Sequence, residues 1–244
     1  MREEDNLDSF DVKDPRICFL SNYPPKECGL ATFTRDLTCA MNTAFNPKLT
    51  SRVVALNDAE THYKYNNQVI FQITRNDPEG YKRIAEQINE SDDLKLICIQ
   101  HEFGLYGGGD YGENIFYFLD VINKPVAVTF HSVLPNPEEE RRKVVKRIAA
   151  KASAIIVMAE TAVDILNKDY GIERSKIYVI HHGTPNTKFV SSEPSKKKLG
   201  LEEKTVILTF GLLSRGKGVE HVIKSLPPLI EKYPNLLYSV DTHG

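Results

Sequence analysis

Two sets of residues in this 244-residue chain have the types and the spacing to do chemistry. The first is a row of histidines. His101 with Glu102, His131 with Ser132, and the pair His181 and His182 each follow directly on a short apolar run, reading LKLICIQ, PVAVTF and KIYVI. Imidazole titrates near neutral pH and can act as hydrogen-bond donor, acceptor or proton carrier. A lone histidine is more often a satisfied structural residue. Several at the carboxyl ends of strands in one parallel sheet would share the edge where ligands collect. The second set is Arg215, Gly216, Lys217 and Gly218. Two cations and free backbone N–H groups at a helix start suit a pyrophosphate, held without a metal. The same four residues also make an ordinary solvated basic turn.

Several chemistries are disfavoured. The turn at 215–218 is not a P-loop, because no Gly-Lys-Ser/Thr follows a longer glycine loop, and no GxGxxG follows the first strand. No HxxxH supports a metal centre, and Cys18, Cys28, Cys39 and Cys98 form no CxxC pair. Cys18 and Cys98 sit in apolar runs and read as small hydrophobes. Cys28 precedes a helix start that could lower its pKa, with packing the simpler role. A net charge of −2 argues against general nucleic-acid binding. No apolar run is long enough to span a bilayer and the acidic start lacks a secretion signal, so the expected setting is cytoplasmic.

The elements that must position these groups are legible in outline. Apolar, β-branched runs at 16–21, 52–57, 68–73, 94–100, 125–130, 154–158 and 176–180 read as strands, separated mostly by helical spacing. Behind the turn 22–29 (NYPPKECG), Leu30, Phe33, Leu37, Ala40 and Ala44 form one helix face. Asp77-Pro78 reads as an N-cap and first helical residue, with Tyr81, Ile84, Ala85 and Ile88 facing inward. The glycine-rich stretch 104–112 (GLYGGGDYG) either lets a ligand reach the main chain or forms a mobile loop, and a loop that closes over ligand is expected. Another helix opens at Asn136-Pro137-Glu138, with Val144, Ile148 and Ala152 inside and a solvated charge run outside. A further one is capped by Thr161 and stops before Gly171.

This alternation predicts an α/β fold, a doubly wound, Rossmann-like parallel sheet of about seven strands over 16–183. Residues 1–15 read as a flexible start and 184–204 as a linker with room for one short helix. The pattern restarts over 205–244 with a strand, a helix at 219–233 and a second strand.

Gly211, Leu213, Lys217 and Gly218, followed by a helix and Pro234-Asn235-Leu236, resemble the opening of the nucleotide-sugar domain of glycosyltransferase family 4, retaining enzymes of GT-B fold. Leu212 stands where the family usually has arginine, and Arg215 is the substitute nearby. VTFHS places His131 like the family histidine beside the transferred sugar. VIHHG is similar to the family's VI-Pro-Asn-Gly at the domain junction, with His181 and His182 in place of proline and asparagine. Cys28-Gly29 stands where the family has a glycine pair.

The resemblance implies an acceptor-side domain over 16–183 and the start of a nucleotide-sugar domain over 205–244. It implies catalytic His131, acceptor-side Gly29, His101 and Glu102, donor-phosphate Arg215, Lys217 and Gly218, and junction residues His182 and Gly183. The implied reaction transfers a hexose from a nucleotide sugar to an acceptor hydroxyl with retention, with no metal or other cofactor. A full second domain is on the order of 150 residues. The chain therefore reads as truncated and inactive alone, or else as a non-catalytic remnant that binds a glycan or a partner. Residues 206–210 and 236–240 are apolar on both faces, which predicts self-association through 205–244.

Overall fold

Seven apolar runs form parallel strands: β1 (Arg16–Ser21), β2 (Thr50–Asn57), β3 (Val69–Thr74), β4 (Leu94–His101), β5 (Val126–Phe130), β6 (Ala154–Val157) and β7 (Ile177–Val179). The structure is a computed structural model that describes residues 15–45, 49–58, 63–184, 186–211, 213 and 217–242. The chain divides into two compact units, Met1–Gly183 and Thr184–Gly244.

In the first unit the sheet order is β3-β2-β1-β4-β5-β6-β7, every pair parallel. The chain runs outward from β1 to β3 and then returns to lay β4 on the other side of β1. Parallel strands buried on both faces need apolar residues at successive positions, and β5 (VAVTF) is buried throughout. Right-handed crossovers running in opposite directions from β1 put their helices on opposite faces. The larger core cluster takes side chains from α2 (Pro78–Glu90), α3 (Ile115–Leu119), α4 (Glu139–Lys151) and α5 (Glu160–Tyr170). The smaller cluster lies under α1 (Gly29–Phe45) through Leu37 and Met41.

Local signals set many boundaries. Asp77 is the N-cap of α2 with Pro78 following, and Tyr81, Ile84, Ala85 and Ile88 are buried. Gly171 ends α5 at φ 69°, a left-handed cap that glycine adopts without a Cβ penalty. Helix α5 starts from Ala159, two residues before the expected Thr161, and α4 from Glu138, with Asn136 left in the preceding loop.

The face of α1 differs from expectation. Its buried residues are Ala31, Thr34 and Thr38, whereas Ala40 and Ala44 are exposed. The cause is a polar seam between the helix and β1 and β2. The Thr34 and Ser21 hydroxyls lie 2.8 Å apart, and the Ser51 N–H and hydroxyl both donate to Asn42 Oδ1 at 2.8 Å. Buried hydroxyls that satisfy one another cost little, so the helix seats on them rather than on its most apolar stripe. That rotation leaves Phe33, half-buried, beside the seam.

The second unit contains α6 (Glu193–Leu199), β8 (Thr205–Phe210), α7 (Val219–Lys232) and β9 (Leu236–Asp241). Strands β8 and β9 pair in parallel as a two-stranded sheet. None of the unit's described residues is buried. No helix among the described residues is long and apolar enough to cross a membrane.

Candidate functional site

His101, which ends β4, and His131, which directly follows β5, turn to opposite faces of the sheet. Ile97 and Ile99 of β4 belong to the larger cluster, so His101, two further along, faces the same way and Gln100 faces the α1 side. His101 registers with Phe130, and His131, one residue past Phe130, turns to the α1 side. Strand parity therefore separates two histidines whose sequence contexts look alike.

His131 sits at the rim. Its Nε2 is 2.8 Å from Gln100 Oε1, and its ring meets Phe33 edge-on with centroids 4.8 Å apart. Phe33 also meets His182 edge-on at 5.3 Å, and the two histidine rings are 6.5 Å apart. Burial, and then the neighbouring His182, push the pKa of His131 down to about 4, so the ring is neutral at pH 7. His182 and Gly183 are exposed where the chain leaves β7.

His101 is walled off. It is fully buried among Phe103, Tyr106 and Phe130, and neither ring nitrogen has a hydrogen-bond partner among the described residues. Burial, and then His131, push its pKa down to about 3. From that position it does not reach the open rim. Glu102 bridges the two strand ends instead: Oε2 accepts from the Ser132 hydroxyl at 2.8 Å and Oε1 from the Phe103 N–H at 3.0 Å.

Gly29 opens α1 with no heavy atom within 4 Å of where a Cβ would stand, so packing does not demand glycine there and the helix start is left open. Cys28 fills part of that start: its Sγ accepts from the Ala31 N–H and from Asn22 Nδ2, each at 3.3 Å. In the second unit, Gly218 caps α7 at φ 74° and Lys217 is exposed beside it. Arg215 lies outside the described residues.

The stretch 104–112 is tied down rather than free to close. Tyr106 is buried, with its hydroxyl 2.7 Å from Gln100 O, and its own carbonyl accepts from Tyr81 at 2.9 Å. Arg75 donates to Gly104 O at 2.8 Å, and Asn114 donates to Arg75 O at 2.9 Å. A Cβ on Gly107, at φ 72°, would stand 2.5 Å from Arg75 O. The glycines serve close backbone packing. A cavity of about 450 Å³ bordered by Phe116, Tyr117, Asp120, Lys143, Val144 and Arg147 contains none of the histidines in its wall. No three His, Cys, Asp or Glu side chains converge as a metal site among the described residues.

Of the residues expected from the sequence, the structure brings His131 and His182 together. It adds Phe33 and Gln100, which sequence reasoning assigned to a helix face and a strand. Gln100 carried a signal, since an amide ending a buried apolar strand must find a partner. Phe33 carried none, because its placement follows from the seating of α1.

The family profile of Glycosyltransferase Family 4 matches residues 29–187. No curated protein sequence matches the chain. Among solved structures, S. aureus MnaA with UDP is similar at 17% identity and TM-score 0.55, covering 94% of this chain and 63% of that one. HepE of Anabaena, in complex with UDP and glucose, is similar at 13% identity and TM-score 0.57, covering 94% and 70%. A glycosyltransferase from Rickettsia africae is similar at 13% identity and TM-score 0.58, covering 93% and 69%. The chain thus spans about two thirds of these proteins' length, and likeness at such identities establishes the fold, that of GT-B proteins.

Proposed function

The chain belongs to Glycosyltransferase Family 4, and from that membership we propose that it serves the transfer of a hexose from a nucleotide sugar to an acceptor hydroxyl, with retention at the anomeric carbon. The observation that carries the reading is the cluster of His131, Gln100, Phe33 and His182 at the carboxyl edge of the sheet, inside the matched region. UDP in two of the similar structures makes a uridine nucleotide sugar the first donor to test.

In this reading the neutral His131 hydrogen-bonds the transferred sugar. Gly29 keeps the start of α1 open, and Glu102 with Ser132 borders the acceptor side. His101 supports the edge through packing. Lys217 and the N-terminus of α7, capped by Gly218, meet the charge of the donor phosphates, with Arg215 as a second cation. The leaving nucleoside diphosphate departs as the acceptor oxygen attacks from the same face, and the protein's contribution is placement and charge stabilisation. A cytoplasmic setting is part of the proposal, supported by four cysteines that are all free thiols.

The second unit, none of whose described residues is buried, favours weak donor binding by this polypeptide alone. The same observation supports a second reading, in which the chain binds a glycan or a partner without turnover. The deciding experiment measures nucleoside diphosphate released from UDP-sugars with an acceptor array, beside a His131→Ala variant. Transfer that His131→Ala leaves unchanged would remove this histidine from the reaction. Sugar bound without any diphosphate release would select the non-catalytic reading.

A further inference from the structure

Gln100 is 1% exposed and faces the α1 side of β4. Its Oε1 stands 2.8 Å from His131 Nε2. A carboxamide oxygen only accepts hydrogen bonds, so a bond at this distance requires the ring hydrogen on Nε2. A neutral imidazole has a single N–H, and burial keeps His131 neutral at pH 7. Nδ1 is then a lone-pair site, and no hydrogen bond from a described residue occupies it. Phe33, edge-on at 4.8 Å, restricts the ring from turning over to exchange its two nitrogens.

We propose that Gln100 is a positioning residue that holds His131 in its Nε2–H tautomer and leaves Nδ1 as a hydrogen-bond acceptor for ligand at the rim. A group bound against Nδ1 must bring its own hydrogen. A sugar hydroxyl meets that requirement, whereas an ionised carboxylate or phosphate oxygen meets the ring lone pair with one of its own. Naming the ligand as carbohydrate rests on the glycosyltransferase reading. The tautomer itself is a property of the ligand-free protein.

The test is nitrogen-15 NMR of the histidine rings in the full chain without ligand at pH 7, with His131→Asn to assign the signals. His131 is expected to show a protonated Nε2 and an unprotonated Nδ1. Gln100→Glu, whose carboxylate also only accepts, keeps that tautomer and raises the His131 pKa by about one unit or more, with His182 the titratable neighbour on the other side. Gln100→Leu releases the ring into a mixture of tautomers. A wild-type ring carrying its hydrogen on Nδ1 overturns the proposal, as does an unchanged tautomer in Gln100→Leu. Should Gln100→Leu not fold, the wild-type spectrum and Gln100→Glu decide. A wrong tautomer leaves sugar transfer standing, and absent transfer with the expected tautomer leaves Gln100's role standing, so the two failures are distinguishable.

Discussion

The two units of the chain use the same building piece, parallel strands joined through a helix, and differ in what that piece buries. In the first, β1 (RICFLS) is buried from Ile17 to Ser21, flanked by β2 and β4 and layered by helices. In the second, β8 (TVILTF) has one strand partner, and Leu208 and Phe210 are 53% and 79% exposed. The two runs are comparably apolar, so the difference lies in how many neighbours each strand has. A two-stranded sheet with one helix cannot cover both of its faces, whereas seven strands with helices on two sides can.

The sharpest way to break that comparison is to remove a core side chain. Tyr106→Ala, at a fully buried ring whose hydroxyl reaches Gln100 O, is expected to lower unfolding free energy by about 3–5 kcal/mol in urea titrations. A loss below about 1 kcal/mol would mean that the loop it anchors is not part of the folded core.

Acid should act on the same unit through His101. Its folded pKa, about 3, lies below the ordinary histidine value, so the unfolded chain takes up a proton that the folded chain refuses. Stability is therefore complete above pH 6.5 and is lost progressively as pH falls towards 3, by roughly 3–5 kcal/mol at the limit. His131, held down to about 4, adds in the same direction. His101→Phe should remove about half of the combined slope and cost little at pH 7, because it deletes two unpartnered buried nitrogens. Urea midpoints at pH 7.5 and 4.5 check both statements, and an undiminished slope in His101→Phe would place the acid sensitivity elsewhere.

In the second unit the expected effects fall on binding rather than on stability. Lys217→Ala should weaken UDP binding by about 10- to 100-fold at low salt, the scale of one charge-assisted hydrogen bond, and less at high salt. Calorimetry that shows equal affinity would take Lys217 out of the donor site. The smallest effect is expected at Phe210→Ser, within about 0.5 kcal/mol of wild type because the side chain already faces water. The same change should reduce concentration-dependent self-association in sedimentation, if exposed apolar surface drives it.

What the sequence determined alone is what local energies decide. Successive β-branched residues favour extended chain, Pro78 fits the first turn of a helix, and Gly171 takes a left-handed cap, whatever lies around them. The seven strands, most of their helices and the strand-end position of the histidines were legible on that basis, and VTFHS, inside the matched region, carried the family resemblance. Only the tertiary structure decided which side each histidine takes. His101 and His131 both end apolar strands, but the register of β4 against β5 sends one into an aromatic enclosure and the other to the rim. It also seated α1 on the Ser21 and Ser51 hydroxyls, which brought Phe33 to His131 and His182, and it packed the glycines of 104–112 against Arg75 and Asn114. The decisive contacts join residues far apart in the chain, Phe33 with His131, His101 with Phe130 and Gly107 with Arg75, and no local window of sequence contains both partners.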